Sequence, residues 1–121
     1  MYGAKPKELN DPMEGKFNPT NLSKDDYDEI RRGLDNTRIC SLLTKQDNQS
    51  FPNDYLMWSH YADSHYGCCI EVQITGRYNT GWELHEIQYQ NNMPSLDGLS
   101  GNKRIQRILT VKTPIWESEH E

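Results

Sequence analysis

The chain lacks any apolar run near the roughly 18 residues needed to cross a bilayer. Its start, MYGAKPKELND, lacks the apolar centre of a secretory signal. Both absences point to a cytoplasmic protein with no membrane partner, for which the sequons at Asn21 and Asn48 carry no meaning. Cysteine is scarce. Its three copies show no CxxC spacing, which excludes a zinc ribbon and a disulfide framework and leaves reduced thiols as the expected state. Basic residues are outnumbered, 13 against 18 acidic, giving a net charge of −5. That balance disfavours a general binder of phosphate backbones. The acidic residues are also spread out, so a block that imitates nucleic acid is missing too. Apolar residues reach only 34%, below the usual level of about 45–50%.

What is present is aromatic: seven Tyr, three Trp and two Phe offset part of that deficit, because each ring buries a large area. At 121 residues the chain is expected to form one domain, residues 1–121, with a small core and long loops. No internal repeat or low-complexity segment interrupts it.

Residues 1–22 read as loop, with Asn10-Asp11-Pro12 as a turn. SKDDYDEIRRG predicts a first helix. Ser23 is its N-cap, Asp25 and Asp26 lie in its first turn, and Arg31 and Arg32 lie near its end, an order that suits the helix dipole. Tyr27, Ile30 and Leu34 form one narrow apolar face. Thr37 to Leu43 predicts a strand. Asp54 caps a second helix from Tyr55 to about His65, which Gly67 is expected to stop in the left-handed conformation. Cys68 to Ile74 alternates as a strand, with Cys68, Ile70, Val72 and Ile74 on the inner face. Trp82 to Tyr89 predicts its antiparallel hairpin partner, with a bulge between Leu84 and Ile87. NKRIQRIL predicts a last helix with Ile105, Ile108 and Leu109 inward. The fold class that follows is α+β: a small, mostly antiparallel sheet packed with two or three helices.

Chemically, LMWSHYADSHYGCCIEV is the densest stretch. His60 and His65 stand about 140° apart on a straight helix, so they do not ligate one metal together. His60 with Asp63 at i+3 is the better pair: a carboxylate there orients the ring and favours its charged form. The same spacing also suits an ordinary exposed helix pair. Cys68 and Cys69 alternate faces, so they form no ordinary bridge, and Cys68 is expected in the core. Asp11 and Glu14 read either as a self-bonded turn or as a carboxylate pair facing a pocket. In WESEHE, Glu117 and Glu119 share one face if the segment is a strand, with Trp116 and Ser118 opposite. Such a pair positions a ribose hydroxyl or stabilises a cationic transition state. A solvated acidic tail is the plainer reading.

ELNDPMEG, ICSL, WSHYADSHYGCCIE, IQY and WESEHE, in that order, resemble the motifs of a widespread bacterial and phage family of domains of unknown function. The resemblance covers nearly the whole chain. It places family positions on Asn10, Asp11, Glu14, Trp58, His60, Tyr61, Glu71, Glu117 and Glu119, among others. It implies an accessory protein of mobile elements and phage-defence regions, shortened at both ends relative to its kin. Loose similarity to ADP-ribosyltransferase-like folds suggests one enzymatic reading, with nucleotide or NAD as ligand. There His60 and Tyr61 hold the ligand and Glu119 stabilises a ribosyl oxocarbenium-like state. Asn10, Asp11, Glu14, Trp58, Glu71 and Glu117 complete the polar pocket. The other reading is a non-enzymatic protein that binds a host or phage partner and inhibits a defence complex. Acidity and small size favour that one.

Overall fold

Ser23 begins the best-defined element. Its hydroxyl oxygen accepts from the Asp26 N–H at 3.1 Å and donates to the Asp26 carboxylate at 2.7 Å, capping helix α1 (Lys24–Asn36). In this computed structural model the described residues are 3–9, 11–44, 55–74 and 81–119, with backbone alone for Leu56, Ser118 and Glu119. They fall into two compact units, one of residues 1–43 with 85–121 and one of residues 44–84.

In the first unit, α1 runs past Gly33 to Asn36, so Arg31 and Arg32 sit inside the helix rather than in its last turn. Glycine within a helix costs about 1 kcal/mol. Two contacts offset it. Leu34, one residue on, is buried in the core, and the bare Gly33 backbone lets Ile105 approach to where an added Cβ would lie 2.7 Å from its Cδ1. Helix α3 (Asn102–Leu109) is the partner of α1. Ile30 and Leu34 from α1, Ile108 from α3 and Leu96 form the core, with Phe17, Leu22, Ile105 and Leu109 packed around it. Burying each such side chain contributes roughly 1.5–3 kcal/mol. Ile105, Ile108 and Leu109 thus lie inward, as the sequence pattern predicts.

The sheet corrects the sequence reading. Strand β1 (Gln88–Tyr89) pairs with strand β2 (Val111–Lys112) in parallel, not antiparallel, in the register Gln88↔Val111 and Tyr89↔Lys112. The physical reason is the connection. The chain leaves β1, passes through α3 and returns, and a helical crossover delivers the second strand parallel to the first. Gln88 N–H donates to the Thr110 carbonyl at 2.7 Å and Gln90 N–H to that of Lys112 at 3.0 Å. Only two residues of the strand expected over Trp82–Tyr89 are in it, and the stretch from Trp82 to Ile87 is irregular. Of the strand expected over Thr37–Leu43, only Ile39 pairs, in an isolated antiparallel bridge to Ala4. A 3-10 helix, Pro6–Glu8, starts the unit, its Glu8 carboxylate accepting from the Lys5 N–H at 2.9 Å. A second, Pro114–Glu119, ends it.

In the second unit, helix α2 (Tyr55–Tyr61) is shorter than expected. Its last turn closes on Trp58, whose carbonyl accepts from both Ala62 N–H (3.3 Å) and His65 N–H (3.1 Å). Asp63, Ser64 and His65 all have positive φ, at 45°, 53° and 74°. These three residues, not Gly67, reverse the chain. Gly67 is required for closeness instead: an added Cβ would stand 2.8 Å from Ala62 Cα. Residues 68–74 form no strand, and Cys68, Cys69, Ile70, Val72 and Ile74 are all exposed, so the expected inner face is not buried. The expected hairpin turn and the Asp54 cap lie outside the described residues.

Candidate functional site

Asp11 and Glu14 sit on one turn, joined by Glu14 N–H donating to the Asp11 carbonyl at 3.0 Å. One Asp11 carboxylate oxygen accepts from the Met13 N–H at 2.8 Å, the self-bonded turn that the sequence allows. The other accepts from the N–H (2.8 Å) and hydroxyl (3.3 Å) of Thr113, just beyond β2. Glu14 is buried with Lys112 of β2, the carboxylate 3.8 Å from the ammonium. Both carboxylates therefore face inward and tie the amino-terminal turn to β2.

The other residues singled out from the sequence are more dispersed. Glu117 is exposed on the 3-10 helix Pro114–Glu119. That helix takes the place of the strand on which the two glutamates would have shared a face. Its three residues per turn set positions 117 and 119 on different sides of the axis rather than on one face. Asn10 lies outside the described residues. Trp58, His60, Tyr61 and Glu71 belong to the second unit, Asp11, Glu14 and Glu117 to the first, and each set is placed within its own unit. Trp58 is partly buried in α2, whereas His60, Tyr61 and Glu71 are exposed. The His60 ring lies against Tyr61, centroids 6.3 Å apart. Among the described residues no hydrogen bond or ion pair joins His60 to Asp63. The helix has ended between them, which removes the i, i+3 geometry that the pairing needs.

An open groove of about 400 Å³ lies elsewhere in the first unit, between α3 and the segment leading into β1. One wall is Lys103, Gln106 and Arg107 of α3 with Thr110 just after it and Leu99 before it; the other is His85, Glu86 and Gln88. At 100° per residue positions 103, 106, 107 and 110 span an arc of about 100°, on the side of the helix away from buried Ile108. Two hydrogen bonds brace the walls. The Arg107 guanidinium donates to Gln88 Oε1 at 2.5 Å, and the Gln106 amide donates to His85 Nδ1 at 3.0 Å. The sequence held a signal for this face: Lys103, Gln106, Arg107 and Thr110 follow the i, i+3, i+4, i+7 spacing of a helix stripe. The apolar stripe of the same helix drew the reading to the core.

Polar contacts also hold this wall to the core. Arg104, inside α3, donates to Asp26 at 2.6 Å and to the Leu99 carbonyl at 2.7 Å. The Ser23 hydroxyl and then the Arg104 guanidinium, both hydrogen-bonded to the Asp26 carboxyl, hold it below the usual carboxylate range. No family model, curated protein or solved structure matches the chain.

Proposed function

We propose that the chain is a small binding module rather than a transferase, with its ligand seat in the groove between α3 and residues 85–88. One observation carries this reading. Asp11 and Glu14, two of the carboxylates that the enzymatic reading places in its ligand pocket, are engaged from inside by Thr113, Met13 and Lys112. The groove, by contrast, is open to solvent and lined mostly by polar side chains, with a volume of about 400 Å³. The reading shares its non-enzymatic character with the second function drawn from the sequence, but has a small ligand in place of a host or phage protein partner. Incubating the full chain with NAD and following nicotinamide release tests it. No release above buffer is expected. Release that falls on Glu119→Gln would overturn the proposal and restore the ribosyl-transfer reading.

A further inference from the structure

The groove differs in charge from the molecule that carries it. The chain has a net charge of −5, yet the groove holds two permanent cations, Lys103 and Arg107, against one carboxylate, Glu86. Lys103 and Arg107 are four residues apart on α3, so their side chains leave neighbouring points about 6 Å apart on one helix face. Among the described residues no protein acceptor holds the Lys103 ammonium. Arg107 uses its bond to Gln88 Oε1 as a brace, and a guanidinium has five N–H donors in a planar fork. Two cations at that spacing, one compact and one forked, suit the oxygens of a single phosphate group.

The remaining lining is neutral or acceptor-rich. Gln106 and Thr110 flank the cations along the helix, and Glu86 faces them from the other wall. A carboxylate and amides beside a cation pair suit hydroxyls, which donate to the first and exchange bonds with the second. Among the described residues the lining holds no Trp, Tyr or Phe as a stacking platform, and Leu99 supplies its apolar contact. Hydroxyls, rather than a large flat ring, are what these walls match.

We infer that the groove binds a small phosphorylated sugar, with Lys103 and Arg107 on the phosphate and Glu86 with Gln106 on the hydroxyls. The inference rests on the binding-module reading for its site and adds the ligand class.

The test is a titration of the full-length, isotope-labelled chain followed by NMR, with ribose 5-phosphate, inorganic phosphate and ribose as separate probes. Saturable shifts at Lys103, Gln106, Arg107 and Thr110 are expected with ribose 5-phosphate, and weaker ones with phosphate. Ribose is expected to produce none at the same concentration. Lys103→Gln and Arg107→Gln should each weaken ribose 5-phosphate at least tenfold. Lys103→Gln is the cleaner variant, because it removes no protein contact. Ribose binding as well as its phosphate, or an unchanged affinity in Lys103→Gln, would overturn the ligand class while leaving a ligand-binding groove. Absence of groove shifts with all three probes would overturn the inference as well. The non-enzymatic part of the binding-module reading is judged by a separate readout, nicotinamide release from NAD, so that the two failures are distinguishable.

Discussion

Asp11 is joined to Thr113, 102 residues further along the chain, through both the backbone N–H and the hydroxyl of Thr113, at 2.8 and 3.3 Å. The tie fixes the amino-terminal turn to the residue that follows β2, while the second carboxylate oxygen holds the Met13 N–H. Hydrogen bonds to a charged acceptor contribute about 1.5–3 kcal/mol each and are not fully additive. Asp11→Ala is therefore expected to lower stability by about 2–4 kcal/mol. Asp11→Asn, which keeps one acceptor oxygen, should cost less. Urea unfolding of the three proteins measures this, and an unchanged midpoint for Asp11→Ala would show that the tie contributes nothing.

Glu14, on the same turn, and Lys112 of β2 form a buried pair. At 3.8 Å the charges are beyond direct hydrogen-bond length, so the pair is weaker than a bidentate one. Removing one member of a buried ion pair typically costs about 3–5 kcal/mol, and the long separation here places the expectation at about 2–3. Glu14→Gln and Lys112→Met should each destabilise by that amount. The double variant should be more stable than the sum of the two losses implies, by at least about 1 kcal/mol. Strict additivity in the cycle would mean that the two groups do not interact.

The two helices of the first unit were legible because each carries a local pattern that only a helix satisfies. For α1 it is the Ser23 cap with the Ile30–Leu34 face, and for α3 the Ile105–Ile108 stripe. The sheet was not legible. Cys68 to Ile74 alternates apolar and polar residues as an inward-facing strand would, but alternation states only that a strand is allowed. Pairing needs a partner, and among the described residues β1 pairs with β2, delivered by a crossover that no local pattern encodes. The site followed the same logic. That Asp11 bonds its own turn could be read from Asn10-Asp11-Pro12. That its other oxygen reaches Thr113 could not, since the contact spans 102 residues.

Asp26 links α1 to α3 and makes stability depend on acid. Its carboxyl titrates below the usual range because the Ser23 hydroxyl and the Arg104 guanidinium favour the charged form. A depressed native value means that the charged group stabilises the fold at every pH above the ordinary aspartate value, roughly 4. That contribution is lost as pH falls through the lower, native value. The stability gap between the natural chain and Asp26→Asn should therefore be constant from pH 7 to about 5 and narrow below about 4. Urea midpoints of both proteins at pH 7, 5 and 3 provide the comparison. A gap that stays the same down to pH 2 would contradict the assignment.

Gly67 illustrates a requirement that positive φ does not explain. The residues with left-handed backbone are Asp63, Ser64 and His65, each an L-residue that pays roughly 1–2 kcal/mol for that conformation. Gly67 follows them with its N–H on the Ala62 carbonyl at 2.7 Å, so near that a Cβ would meet the Ala62 Cα at 2.8 Å. Both positions serve one closure, and substitutions at them should act in opposite directions. Gly67→Ala must push the backbone apart, at a cost of about 1–3 kcal/mol, typical of overpacking. Ser64→Gly should relieve the left-handed strain and stabilise the turn by up to about 1 kcal/mol, less than the full penalty because glycine also gains freedom in the unfolded chain. Amide exchange at His65, whose N–H donates to the Trp58 carbonyl, reports the opening of this turn directly. Faster exchange in Gly67→Ala and slower exchange in Ser64→Gly are the expected pair. Equal exchange in all three proteins would mean that the closeness of Gly67 to Ala62 does not hold the turn shut.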